Sequence, residues 1–188
     1  MLSFIYKLSN TKRTLIIAGL LLAGIANLGI TAARIHHSGT EVILATLPVD
    51  PRSLFQGDYV VLNYSISRLD ATQMEGSPSP LRNAAVYVEL QPGAPVWTMV
   101  RASFNPLTPA PGHVVIRGKT DQTIGSSSLR VTYGIESFLV PEGQGLQIER
   151  LRNASDRVTV KVRIAENGAA LPQNILVDGV PVFTDGGM

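Results

Sequence analysis

Residues 14 to 33 form a twenty-residue run, TLIIAGLLLAGIANLGITAA, that contains no charged side chain. An α-helix rises about 1.5 Å per residue, so a run of this length matches the roughly 30 Å hydrocarbon core of a bilayer. Two lysines and an arginine precede the run, whereas only Arg34 follows it closely. This positive-inside bias predicts one transmembrane helix, with residues 1–13 in the cytoplasm and the rest of the chain outside.

A cleaved signal peptide is the alternative interpretation of the same run. Its apolar stretch has about 7–15 residues and ends at a small-x-small cleavage site. The run here is longer, and the only candidate exit is Thr31-Ala32-Ala33. An uncleaved anchor is therefore favoured, which predicts a protein of the inner (cytoplasmic) membrane whose outer domain is periplasmic if the cell is Gram-negative.

The chain beyond the run is not basic. Residues 35–188 carry 12 Lys and Arg against 14 Asp and Glu, a net charge of −2, so nucleic acid is not an expected ligand. No cysteine is present, which excludes disulfides, thiolate metal sites and thiol nucleophiles. His36, His37 and His113 lack the spacing of a metal site. They are expected to be solvated, and no metal or cofactor is predicted.

After a polar stalk at residues 34–40, residues 41–188 predict one β-rich domain. Val60, Leu62, Tyr64 and Ile66 alternate with more polar neighbours, which is typical of a half-buried strand. The same alternation marks 156–165, and the remaining predicted strands lie at 41–47, 84–91, 94–102, 113–119, 129–140, 174–177 and 180–183.

The segments between these strands carry turn and loop signals. Asp178-Gly179 predicts a tight hairpin, Pro181 places the last strand at an edge, and 70–83 is expected to be a loop. A short helix could begin at Pro141. The predicted fold is all-β, a sandwich or open barrel of eight to ten short, mostly antiparallel strands with at most one short helix, attached to one N-terminal transmembrane helix.

One catalytic interpretation can be tested on the sequence directly. The segment from Leu54 to Val60 is similar to the block that follows the nucleophile in signal-peptidase-like serine proteases. In those enzymes the nucleophilic serine lies eight residues before the glycine, a position that Val49 occupies here. Valine cannot attack a carbonyl, so this activity is disfavoured.

The octapeptide GDYVVLNY at residues 57–64 fits the pattern G-D-Y-x-x-L-x-Y. It resembles the GDYXXLXY family of bacterial membrane-anchored proteins, which is named for this pattern and has no assigned activity. Two further stretches, DPRSL at 50–54 and YGIESFLVPEG at 133–143, are also similar to that family. The fixed positions of the pattern are Gly57, Asp58, Tyr59, Leu62 and Tyr64.

The resemblance covers essentially residues 14–188 and implies an N-terminal anchor with an extracytoplasmic β-rich domain. It also implies proximity in gene order to multi-span membrane proteins, so a multi-span membrane protein is the expected partner. The leading hypothesis is a non-enzymatic binding module. Its hypothetical contact surface consists of Asp50, Arg52, Asp58, Tyr59, Glu136 and Glu142.

The alternative function is a carboxylate-based hydrolase of the cell envelope with a glycan or peptide substrate. It would pair Asp58 with Glu136 or Glu142, and such a pair requires about 5–9.5 Å between the carboxyl groups and unequal environments. The sequence leaves this alternative open, and it assigns no catalytic residue.

Overall fold

The computed structural model describes residues 9–47, 59–70, 74–76, 83–121, 128–139 and 158–184. A single long helix, α1 (Asn10–Ser38), is followed by strands in every later described segment. Residues 34–38 of the predicted stalk are thus helical. In chain order the strands are β1 (Thr40–Leu47), β2 (Tyr59–Val61), β3 (Asn63–Tyr64), β4 (Arg68–Asp70), β5 (Met74–Glu75), β6 (Ala85–Gln91), β7 (Thr98–Ser103), β8 (Val114–Thr120), β9 (Ser128–Thr132), β10 (Ser137–Leu139), β11 (Val158–Ile164), β12 (Ala170–Val177) and β13 (Val180–Thr184).

The strands form three sheets that curl into a nearly closed, barrel-like arrangement. Their orders are β13-β12-β11-β1-β3, β10-β2 and β4-β9-β8-β6-β7-β5. The described pairs are antiparallel apart from β5 and β7, which run parallel. The all-β prediction with mostly antiparallel strands is confirmed.

Bonds between loops and strands join the two large sheets. The N–H of Arg117 in β8 donates to the carbonyl of Gly168 in the β11–β12 turn at 2.9 Å. The N–H of Trp97 donates to the carbonyl of Ile43 in β1 at 2.8 Å. The sheets enclose one core, in which fully buried aliphatic side chains come from both large sheets, among them Val42, Leu44, Val86, Val88, Leu90, Ile116, Val160, Val162 and Ile175.

Several details differ from the sequence prediction. The described residues contain thirteen strands rather than eight to ten. The strand predicted from the alternation of Val60, Leu62, Tyr64 and Ile66 is interrupted by a 3-10 turn at Ser65–Ser67. The predicted loop 70–83 contains β5, because this short segment pairs with β7 at the sheet edge. The strand predicted at 94–102 begins only at Thr98, since proline and glycine shape the preceding turn.

Other details are confirmed. Asp178 and Gly179 have φ of 51° and 81°, as a two-residue hairpin with positive φ at both positions requires. The last strand, β13, lies at a sheet edge. The short helix predicted at Pro141 lies outside the described residues.

The surface of α1 is aliphatic on several sides. Leu20, Leu21 and Leu22 are each more than 60% exposed, and three consecutive residues point about 100° apart around a helix. Among the described residues, a search found no helix that combines the length and apolarity of a membrane-spanning segment.

Candidate functional site: the paired motif segments and the cationic row

The described parts of two stretches that carry the family resemblance, 57–64 and 133–143, lie side by side. Strand β2, inside the octapeptide, pairs antiparallel with β10, and Phe138 lies opposite Val60. The ladder continues beyond β2, because the N–H of Leu62 donates to the carbonyl of Glu136 at 2.7 Å. Segments more than 70 residues apart in the sequence therefore form one local structure.

Two tyrosines, one from each segment, donate hydrogen bonds to the backbone in or next to the other segment. The Tyr64 hydroxyl donates to the carbonyl of Ile135 at 2.7 Å, and the Tyr133 hydroxyl donates to the carbonyl of Ile66 at 2.6 Å. Both rings are buried. Burial, followed by the nearby charge of Glu136, raises the pKa of both phenols above the ordinary value of 10.0. Each tyrosine is therefore a neutral, fully engaged donor.

Glu136 closes the turn between β9 and β10. One carboxylate oxygen accepts the N–H of Tyr133, and the other accepts the N–H of Gly134 at 2.9 Å. Gly134 has φ of +80°, a conformation that suits glycine. The carboxylate thus stabilises a tight turn that holds Tyr133 against the motif segment.

The predicted contact surface lies largely outside the described residues. This applies to Asp50, Arg52, Asp58, Glu142 and the motif glycine Gly57. The backbone of Tyr59 lies in β2 opposite Leu139, but its side chain is not described. Among the predicted core positions, Leu62, Tyr64 and Ile66 are buried, which confirms the alternation.

A row of exposed cations, missed by the sequence prediction, runs beside the motif segments. Arg68 in β4 lies directly opposite Arg130 in β9, and Lys119 and Arg117 occupy the same outward face on β8. Within the described residues none of these four side chains has an acidic partner within salt-bridge distance. We call Arg68, Arg130, Lys119 and Arg117 the cationic row.

Two adjoining clefts follow this row. The first, of about 410 Å³, is lined by Arg68 and Arg130, and the second, of about 510 Å³, is lined by Lys119 and Arg117. Glu136 lines both clefts, so the turn that it stabilises forms their shared wall.

A separate charged cluster lies beneath the proline-rich loop between β7 and β8. Glu89 is only 2% exposed, and its carboxylate accepts bonds from the Ala110 N–H at 2.8 Å, from the Arg101 guanidinium and from His113 Nδ1 at 2.9 Å. The Ala110 N–H is the largest of the causes that hold the pKa of Glu89 at about 2, and Arg101 and His113 add to it.

This cluster corrects the expectation that His113 is solvated. Its ring is 22% exposed and bonded to a buried carboxylate. Beside it, a pocket of about 470 Å³ is lined by His113, Tyr87 and Ser38. The described residues contain no group of three His, Cys, Asp or Glu side chains that could hold a metal ion.

The fold and site define a class of protein: a long N-terminal helix joined to a barrel-like β domain, in which the Y-x-x-L part of the motif is paired with the strand that follows a Y-G-I-E turn. The model of the GDYXXLXY protein family matches residues 21–175, so the chain belongs to this family. Searches of curated proteins and of solved structures returned no match.

Proposed function

We propose that this protein is a single-span, membrane-anchored envelope protein whose β domain is a non-enzymatic binding module for a multi-span membrane protein. In this proposal residues 14–33 cross the inner membrane, residues 1–13 stay in the cytoplasm, and residues 41–188 lie outside. The outer compartment is the periplasm if the cell is Gram-negative.

The joint between helix and domain is the observation that carries the proposal. α1 ends at Ser38 and β1 begins at Thr40, so a single residue, Gly39, separates them. The Gly39 N–H donates to the carbonyl of Ile35 at 3.0 Å, and Ile35 is itself buried against the domain. A domain joined this tightly to a membrane helix stays within reach of a neighbouring protein in the same membrane.

Glycine is needed at this joint for steric reasons. A Cβ atom at position 39 would lie 2.5 Å from the Ile35 carbonyl oxygen and 3.2 Å from the Arg163 Cβ. The backbone of the joint therefore packs directly on β11, which restricts the directions that the domain can take relative to α1.

The support for the membrane anchor comes from the sequence, since the search of the described residues found no membrane-spanning helix. The charge-free run in 14–33 and the exposed leucines on several sides of α1 are its support. A helix that is apolar all round belongs in a protein interior or in a membrane.

A binding role is favoured over the hydrolase alternative by the groups that the motif uses. The hydroxyls of Tyr64 and Tyr133 and the carboxylate of Glu136 all bond backbone groups. Of the three carboxylates invoked for the hydrolase, Glu136 thus has a structural role, while Asp58 and Glu142 lie outside the described residues.

Fractionation tests the anchor. We expect the full-length protein to remain in membranes after alkaline extraction and to be released by detergent. Protease added from outside should degrade the β domain. Recovery of the protein in the soluble fraction, or a β domain protected on the cytoplasmic side, would contradict the proposal.

Co-purification tests the binding role. Tagged wild-type protein from detergent-solubilised membranes should recover one multi-span protein in near-stoichiometric amount, and Asp58→Ala and Tyr59→Ala should recover less. Glu166→Ala removes an exposed acid from the β11–β12 turn and serves as the matched control, which should recover the wild-type amount. Equal recovery by all four proteins would show that the motif is not part of the contact surface. Recovery of no specific partner would refute the proposal that the domain is a binding module.

A further inference from the structure

The cationic row has an unfavourable arrangement in the absence of a ligand. Arg68 and Arg130 are directly opposed across an antiparallel strand pair, and both are exposed. Like charges in this position repel each other. Within the described residues neither guanidinium forms a salt bridge, and Asp121 lies beside them, with its N–H donating to the Arg130 carbonyl at 3.0 Å. An arrangement of this kind gains stability when an anion lies between the two guanidinium groups.

The four cations lie on one face at neighbouring distances of about 5–8 Å. Opposed residues on neighbouring strands lie about 5 Å apart, and alternate residues of one strand lie about 6.7 Å apart. Lys119 is paired with Thr132, two residues beyond Arg130 in β9, so Lys119 and Arg130 are diagonal neighbours at about 7–8 Å. Arg117 precedes Lys119 by two positions in β8.

An extended polypeptide has the matching period. Its alternate side chains point to the same side and lie about 6.7 Å apart. A segment with Asp or Glu at every second position would place its carboxylates opposite successive cations of the row. Guanidinium groups bind carboxylates in a planar, bidentate geometry, which favours arginine at such a site.

The direction of the row distinguishes a polypeptide from a membrane surface. The backbone N–H of Arg117 donates to the carbonyl of Gly168, in the turn that follows Ile164. Ile164 is paired with Thr40, which lies just after the end of α1. The cleft at Arg68 is also lined by Leu47, at the opposite end of β1. Arg130 is level with Asp121, four residues beyond Arg117, so the row extends about 13 Å along the strand direction away from the helix end, whereas lipid headgroups lie in one plane.

Two carboxylates also line the clefts, and they restrict the anion that can enter. Glu136 is engaged with the Tyr133 and Gly134 amides, and Asp121 lines the cleft that contains Arg130. A narrow, extended chain can place its charges at the cations and avoid these oxygens.

We infer that the cationic row is a docking site for an acidic, extended segment of a partner protein, with carboxylates on alternate residues. This inference rests on the proposed function, since the segment belongs to the membrane partner.

A peptide titration tests the inference. Full-length protein in neutral detergent is titrated against a fluorescein-labelled ten-residue peptide of alternating Glu and Thr, and fluorescence anisotropy is recorded at low and moderate salt. The same peptide with Gln in place of Glu measures charge-independent binding. We expect the acidic peptide to bind and its affinity to fall as the salt concentration rises, because salt screens exposed charges.

Two double variants of equal charge locate the site. Arg68→Gln/Arg130→Gln removes the opposed pair, while Lys161→Gln/Arg163→Gln removes two cations from β11 on the other large sheet. The first should weaken peptide binding by about tenfold or more, since hydrogen bonds to charged groups are the stronger class. The second should change it less than threefold. Unchanged Trp97 fluorescence and melting temperature would show that both variants are folded.

The outcomes separate this inference from the proposed function. Equal weakening of peptide binding by both variants overturns the inference, and so does the absence of binding between the acidic peptide and wild-type protein. The inference is also overturned if the Arg68 and Arg130 changes weaken the binding of polyphosphate or anionic vesicles but leave the binding of the peptide unchanged. Because the titration needs neither membrane nor partner, it can succeed when co-purification fails, which would refute the proposed function alone. It can also fail when a partner is recovered, which would refute the inference alone.

Discussion

Removing the hydroxyl of Tyr64 tests whether the motif is held together as described. In Tyr64→Phe the ring still fills its fully buried position, but the Ile135 carbonyl loses the donor at 2.7 Å. Leaving a buried acceptor unsatisfied costs about 1–3 kcal/mol. For a chain of this size each kcal/mol lowers the melting temperature by about 2–4 °C. Tyr133→Phe should behave in the same way, because its hydroxyl has the reciprocal role.

Intrinsic fluorescence is a suitable assay for these variants. Trp97 is the only tryptophan and packs against the core of the β domain, so its signal reports unfolding of that domain rather than of α1. Denaturant unfolding of the full-length protein in detergent gives the change in the free energy of unfolding. The two bonds join the same two segments, so the double variant should deviate from additivity by about 0.5 kcal/mol or more.

The pH dependence provides a second readout of the same reasoning. The pKa of each buried phenol is raised above 10.0, so the folded state keeps protons that the unfolded chain releases. The stabilisation is complete below pH 10 and is lost as pH rises above it, by about 1.4 kcal/mol per tyrosine near pH 11. The Phe variants should lose this alkaline sensitivity.

Tyr87→Phe is the matched control, because the Tyr87 hydroxyl has no hydrogen bond to another described residue and its side chain is only partly buried. Its free energy of unfolding should stay within about 0.5 kcal/mol of wild type, as for ordinary surface changes. If Tyr64→Phe and Tyr133→Phe are indistinguishable from this control, the reciprocal bonds do not hold the motif segments together.

Three further predictions concern the β domain. The pKa of Glu89 is lowered from 4.5 to about 2, so its stabilisation is present above pH 4.5 and lost as pH falls toward 2. Glu89→Gln should lower the free energy of unfolding at neutral pH by roughly 1–3 kcal/mol and make it depend less on pH, as measured by Trp97 fluorescence during acid unfolding. An unchanged acid profile would contradict the stabilising role of the Glu89 cluster. Gly118→Ala should cost about 1–3 kcal/mol in denaturant unfolding, because the new Cβ would collide with Val131 and lie 2.9 Å from the Tyr133 ring. A melting temperature within 1 °C of wild type would show that this contact relaxes freely. Ser67→Ala should leave stability equal or slightly higher in the same assay, because the buried Ser67 hydroxyl has no hydrogen-bond partner within the described residues. A loss above about 1 kcal/mol would reveal a partner for that hydroxyl.

Local periodicity predicted the parts of the fold that depend on neighbouring residues. The alternation of Leu62, Tyr64 and Ile66 placed these side chains in the core correctly. Asp178-Gly179 predicted its hairpin, because a two-residue turn needs positive φ at both positions.

The contacts between distant segments could not be predicted in this way. The pairing of β2 with β10 joins residues more than 70 positions apart, and nothing in either stretch specifies its partner. The cationic row collects side chains from β4, β8 and β9, and only the sheet order brings them to one face.

Glu89 shows a different limit of sequence patterns. It lies between the buried Val88 and Leu90 in β6, where a solvent-facing side chain would be ordinary for an acid, yet it is 2% exposed. The loop that contains Ala110 covers it and donates a backbone N–H to its carboxylate. A loop that packs over the outer face of a strand leaves no signal in the strand itself, so both the buried carboxylate and its contact with His113 were missed.

Site-specific crosslinking in native membranes tests most directly whether the β domain binds a multi-span membrane protein through the cationic row. A photo-crosslinking phenylalanine analogue in place of Lys119 lies on the cationic row, while the same analogue in place of Lys161 lies on the other large sheet. We expect a discrete adduct with a multi-span membrane protein from position 119 and none from position 161. Equal adducts from both positions, or none from position 119 in membranes that retain the protein, would contradict this expectation.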